Sequence, residues 1–165
     1  MNSDWQQLVE ALRAELQEYG AVRSILDEQQ KAIFTRDGDK VSELAFALNK
    51  QIDISARFRR ERETLMRQIA EENAMPLHTP LAQMRSIFPE AAQPLLQALS
   101  REIIEMLNVL RRRSRQNQTL LARTCDIMEK TLQLMRPGSF VKTYSARGGV
   151  SMHVSSVGAN IQAAG

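Results

Sequence analysis

Apolar side chains recur in steps of three and four along three long stretches of this chain, a periodicity that only helices can use to bury one face. Starting at Trp5, the positions Trp5, Leu8, Leu12, Glu15, Tyr19, Val22, Leu26, Gln29 and Ile33 form one stripe, apolar at 7 of 9 places. A second runs through Val41, Leu44, Leu48, Gln51, Ser55, Phe58, Arg62, Leu65 and Ile69, apolar at 6 of 9. The third reads Leu96, Leu99, Ile103, Met106, Leu110, Arg113, Asn117, Leu120, Thr124, Ile127, Thr131 and Leu134, apolar at 8 of 12. Spacing of this kind is the seam of a coiled-coil-type helix, which must lie against other helices to be stable in water.

Turn chemistry divides the stretches. Asn2, Ser3 and Asp4 offer capping oxygens before the first helix, which is expected to end near Phe34. Arg36-Asp37-Gly38-Asp39 is a turn in which Gly38 is expected to take the left-handed conformation. The second helix is expected to run to about Asn73, giving an antiparallel hairpin over 4–74. Pro76 and Pro80 break the pattern, with Thr79 and Pro80 reading as the cap and first turn of a short helix over 80–88. Pro89 and Pro94 bracket the start of the longest helix, 94–136, which Arg136-Pro137-Gly138 closes. Residues 137–165 hold 5 of the 7 glycines and no acid, and are expected to be a flexible tail. The fold class is therefore all-α: an elongated, antiparallel three-helix coiled-coil-like bundle, domain 1–136, with a short extra helix and a loose C-terminal end.

Several function classes drop out. No stretch approaches the ~18 apolar residues of a membrane span, and the first residues lack a basic-then-apolar leader, so a cytoplasmic protein with no direct membrane insertion is expected. The single cysteine, Cys125, rules out an internal disulfide framework, and with two histidines, His78 and His153, no metal site is expected. The glutamates Glu61, Glu63, Glu71 and Glu72 lack the Glu-x-x-His partner of a di-iron bundle. Phosphate-cradling loops, nucleophile elbows and zinc-protease motifs are missing, so no cofactor and no catalysis are expected. Cys125 has no histidine within its own helix to act as a base and reads as a packed thiol.

Charge is uneven rather than large. Residues 1–74 carry 11 basic and 14 acidic groups, 75–136 carry 9 and 5, and 137–165 carry 2 and none. Two arginine runs stand out, Arg57-Arg59-Arg60-Arg62 and Arg111-Arg112-Arg113-Ser114-Arg115. Consecutive helical residues point around the whole circumference, so neither run makes one basic face, and a dedicated nucleic-acid binder is not expected. The first run is interleaved with Glu61 and Glu63; the second leaves more room for an acidic partner.

The longest helix carries a further stripe one residue out of phase: Ile104, Leu107, Arg111, Ser114, Gln118, Leu121, Cys125, Met128, Leu132 and Met135. Two adjacent stripes ordinarily mean burial between two neighbours. Met106, Met128 and Met135 instead suit a surface that repacks around a partner, and the reading adopted is a groove for another protein's amphipathic helix. A rival is self-association, a homo-oligomer in which both stripes are covered.

The order of these features, with Ile25-Leu26-Asp27-Glu28-Gln29 and the Asp37-Gly38-Asp39 turn early, then Gln116-Asn117-Gln118-Thr119-Leu120-Leu121, Leu132-Gln133-Leu134-Met135-Arg136-Pro137 and Thr143-Tyr144-Ser145-Ala146-Arg147-Gly148-Gly149, resembles the FlgN family of flagellar export chaperones. Tyr144 and Gly148 match that family's Tyr-Gly-x-x-Gly tail motif, with Ser145 standing at its first glycine. The resemblance implies a chaperone of the flagellar type III secretion system that holds hook-associated (hook-filament junction) proteins before export. It places the client-binding surface at Leu121, Met128, Leu132 and Met135, and contact with the export gate at Tyr144.

Overall fold

The computed structural model describes residues 4–135 together with 140–144 and 150–154. Its elements are α1 (Asp4–Phe34), α2 (Gly38–Glu72), α3 (Leu81–Met84), a 3-10 turn at Arg85–Ile87, α4 (Gln93–Met135) and two strands, β1 (Phe140–Tyr144) and β2 (Val150–Val154). The chain separates into two compact units, Met1–Thr119 and Leu120–Gly165, with the division inside α4. The boundary drawn from sequence falls later, at 136.

In the first unit the stripe of α1 is the spine of the core. Leu8, Leu12, Glu15, Tyr19, Val22, Leu26 and Ile33 are all buried. Leu44 and Ile69 of α2 and Leu96, Leu99, Ile103 and Leu110 of α4 are buried as well. From α2, Gln51 reaches Glu18 and Arg62 reaches Glu15, so the later residue of α2 meets the earlier one of α1, as an antiparallel hairpin requires. Met84 and Phe88, in the proline-rich connection, are buried in the same cluster as Leu8 and Leu96. That connection returns the chain so that α4 runs alongside α1 in the same direction.

Local details differ from expectation in three places. Gly38 is already helical, and the left-handed residue is Arg36 (φ 56°). Arg36 N–H bonds to Ile33 carbonyl at 3.1 Å and Asp37 N–H to Ala32 carbonyl at 3.0 Å, the paired bonds that close a helix, while Asp37 caps α2 by accepting from Lys40 N–H at 3.0 Å. Ala74 (φ 51°) closes α2 in the same way. Thr79 does not cap α3; its hydroxyl donates to Pro76 carbonyl at 2.7 Å, and Pro80 takes the capping position without a side-chain bond. The expected 80–88 helix is one α-turn followed by a 3-10 turn. Asn2 and Ser3 lie outside the described residues.

In the second unit, β1 and β2 pair antiparallel, Phe140 opposite Val154 and Tyr144 opposite Val150. The sequence reading assigned no strand there. The rest of 137–165 lies outside the described residues, and so does the expectation of flexibility for it.

The polar interruptions of the stripes answer one another. Glu15 is 0% exposed, with Arg62 Nε 2.5 Å from its Oε2 and the Tyr19 hydroxyl donating to its Oε1 at 2.9 Å. Arg62 also donates to Met66 Sδ at 3.3 Å. A buried carboxylate with both oxygens engaged is tolerable; one stripped of its cation is not. Arg62→Ala is expected to cost about 3–5 kcal/mol in urea unfolding, whereas the double replacement Glu15→Leu/Arg62→Leu costs far less, because no charge is then left stranded.

Burial, then its bond to Glu15, pushes the Tyr19 phenol up to about 12 from its usual 10.0. The folded chain keeps that proton to higher pH than the unfolded chain does. Unfolding therefore releases a proton between pH 10 and 12, and stability contributed by the neutral phenol is full below 10 and falls as pH rises through that window. Unfolding free energies measured across the window should show a shallower decline in Tyr19→Phe than in the parent.

Candidate functional site

α4 changes character along its length. Its buried residues are Leu96, Leu99, Ile103, Leu110 and Asn117. Asn117 is 3% exposed and donates from Nδ2 to Leu26 carbonyl at 2.8 Å and to Gln29 Oε1 at 3.2 Å. One turn earlier, Arg113 Nε lies 2.7 Å from Asp27 Oδ1, and its Nη1 donates to Gln30 at 2.6 Å. These polar groups tie the middle of α4 to the last turns of α1. Like a single polar residue in a coiled-coil seam, they fix register, since sliding by one turn would leave them buried without partners.

Beyond Asn117 no residue of α4 is buried: Leu120 and Thr124 are half-buried, and the large apolar side chains from Leu121 onward are exposed. Leu121 is 40% exposed, Ile127 58%, Met128 57%, Leu132 52%, Leu134 84% and Met135 74%. The four residues expected to bind a client, Leu121, Met128, Leu132 and Met135, thus share one stripe of the helix and all face solvent. The neighbouring stripe adds Ile127 and Leu134. So many large apolar groups in four turns exceed the single exposed leucines that any surface carries, and such patches mark binding surfaces. Cys125 lies between Leu121 and Met128 on that stripe and is exposed, not packed as the sequence reading had it. The hydroxyls of Thr124 and Thr131 are spent on their own helix, donating to Leu120 and Ile127 carbonyls at 2.9 Å each. The face therefore has a hydrocarbon and thioether character with no competing polar demand from those positions. Tyr144 is the last residue of β1, opposite Val150.

A second concavity lies wholly in the first unit. It is an open groove of about 520 Å³ between α1, α2 and α4. Its floor includes Tyr19, Val22, Leu26, Leu107 and Leu110, and Arg59, Arg111 and Arg115 also line it. The sequence reading singled out Arg111–Arg115 but not the groove. The signal was present in small residues, Ser55 and Ser114, standing in two stripes where a bulky side chain would fill the space.

The arginine runs divide as helical geometry requires. Arg57 pairs with Glu61 at 3.8 Å, Arg59 with Glu63 at 3.7 Å, and Arg62 with the buried Glu15, so three members of the first run are engaged within the fold. In the second, Arg113 is taken by Asp27, while Arg111 and Arg112 remain exposed. Among the described residues no group of three His, Cys, Asp or Glu side chains could hold a metal ion. No helix among them is long and apolar enough to cross a membrane.

The longest helix thus ends in an exposed apolar face. The sequence profile of the FlgN protein family matches residues 1–151, nearly the whole chain. The chain belongs to the FlgN family, whose members are flagellar export chaperones. No curated protein and no solved structure matches it.

Proposed function

We propose that this chaperone works in the cytoplasm, by binding and not by catalysis, and that its clients are the hook-associated proteins of the hook-filament junction. The distal face of α4 takes the amphipathic terminal helix of the client, which is unable to polymerise while held, and the complex is delivered to the flagellar export gate through the segment containing Tyr144. The observation that carries this reading is the exposure of Leu121, Met128, Leu132 and Met135 on one helical face.

The energetics suit a reversible grip. Burying about 600 Å² of apolar surface contributes roughly 15 kcal/mol before costs. Fixing the two partners and folding a disordered client segment offset much of it, leaving micromolar to nanomolar binding. Methionine on this face favours clients of varied shape, because the unbranched thioether repacks at little cost. Release at the gate demands that affinity stay within this range.

Leu121→Asp or Met128→Asp places a charge in the contact without touching the core, since both side chains are exposed. Either variant is expected to keep the parent's helicity and to lose capture of a hook-associated protein in co-purification from a flagellated cell extract, with retained partners identified by mass. Retention of the client by both variants would dismiss the distal face as its site. Size-exclusion chromatography with and without client separates the rival: a stable oligomer that ignores the client points to self-association as the use of this face.

Tyr144→Ala is expected to bind client as the parent does and to lose binding to the export gate. Undiminished gate binding by that variant would remove Tyr144 from the delivery step.

A further inference from the structure

The groove between α1, α2 and α4 is lined by other residues than those expected to hold the client, although its α4 side, Leu107, Arg111, Ser114 and Gln118, belongs to the same stripe as Leu121, and client capture gives it no role. It exists because three positions are small. Ser55 occupies a seam position of α2 and is buried with its hydroxyl donating to Gln51 carbonyl at 2.8 Å. Ala56 follows it, and Ser114 occupies the second stripe of α4. Leucine-sized side chains there would close the space, as they do elsewhere in the seams. Its volume of about 520 Å³ falls within the roughly 300–1,000 Å³ of ligand clefts.

Its chemistry is lopsided. The floor is apolar, and Ile52 at its edge is 48% exposed. Among the described residues every charged one lining it is an arginine, and none brings a carboxylate. Arg59 has a loose 3.7 Å pair with Glu63, both side chains about half exposed, and Arg111 reaches the neutral Asn108 at 3.5 Å. Guanidinium groups in this state favour carboxylates, which they can hold with paired hydrogen bonds. Residues 137–165 of the chain carry Lys142 and Arg147 and no acidic side chain, so their side chains do not supply them. A nucleic acid would satisfy the arginines but not the aliphatic floor, whose one aromatic, Tyr19, is buried and bonded to Glu15.

We infer that the groove is a second docking site, for a short amphipathic helix that carries apolar residues on one face and carboxylates beside them. A partner held there and a client helix held on distal α4 are bound by different residues, so the protein has two separately addressable binding sites.

The test uses the full chain and a fluorescently labelled 16-residue helical peptide with leucines at helical spacing flanked by glutamates. Its companions are the same peptide with lysine for glutamate and a scrambled version. Fluorescence anisotropy is expected to give micromolar binding of the acidic peptide that weakens with added salt, and at least tenfold weaker binding of the other two. Arg111→Glu/Arg115→Glu, at exposed positions, should weaken the acidic peptide at least tenfold, and Ala56→Leu, which fills the groove, should abolish binding with helicity and melting temperature retained. Met128→Asp, ten residues beyond Gln118, should leave it unchanged while losing the hook-associated client. Equal binding of the lysine peptide, intact binding to a folded Ala56→Leu, or loss in Met128→Asp would each overturn the inference. So would a concentration-dependent dimer that Arg111→Glu/Arg115→Glu dissolves, which would make a second copy the occupant.

Discussion

The carboxylate of Glu15, sealed from water and held by Arg62 and Tyr19, is the constraint on which the first unit depends. An apolar stripe alone would let α1 and α2 slide by a turn at little cost, since one leucine resembles another. A buried charge removes that freedom, because every register but one leaves it without its counter-ion. Asn117 and Arg113 do the same for α4 against α1, at weaker stakes, through Leu26, Gln29, Gln30 and Asp27. The polar positions that looked like blemishes in three hydrophobic repeats are the teeth that mesh.

This arrangement explains where α4 stops contributing to the core. Its last inward polar contact to α1 is Asn117, and the large apolar side chains that follow, from Leu121 to Met135, remain in solvent. The hydrophobic repeat itself continues without a break. What changes is the exposure of its large side chains; α1 itself closes at Phe34 with Arg36 in the left-handed conformation. On such a stripe the backbone bonds are already made, so under the proposed function a client segment need order only itself.

Much of this was legible in the residues. The periodicity of three and four placed α1, α2 and α4 within a residue or two, and the stripe of α1 named most of the buried spine. Periodicity could not say which of two stripes on α4 is covered, since that depends on how far the hairpin reaches. Nor could it pair Glu15 with Arg62, which are 47 residues apart. The turn at Arg36 was misjudged because glycine is the usual left-handed residue, whereas here Gly38 lies two positions later, inside α2. The strands have a sequence signal of their own: Val150-Ser151-Met152-His153-Val154 alternates apolar and polar, and Phe140-Val141-Lys142-Thr143-Tyr144 is rich in branched and aromatic residues. Glycine content there masked a pattern too short to weigh against it. The groove escaped notice because it is made by what Ser55, Ala56 and Ser114 lack.

The small size of those three side chains has an evolutionary consequence. A position filled by a bulky core residue is costly to alter in either direction, but a notch formed by serine and alanine can be deepened, narrowed or plugged by single-nucleotide steps while the surrounding rods stay in place. Descendants of this chain could therefore gain or discard whatever lodges there at little risk to the scaffold, and the notch rather than the spine is where lineages would be expected to diverge.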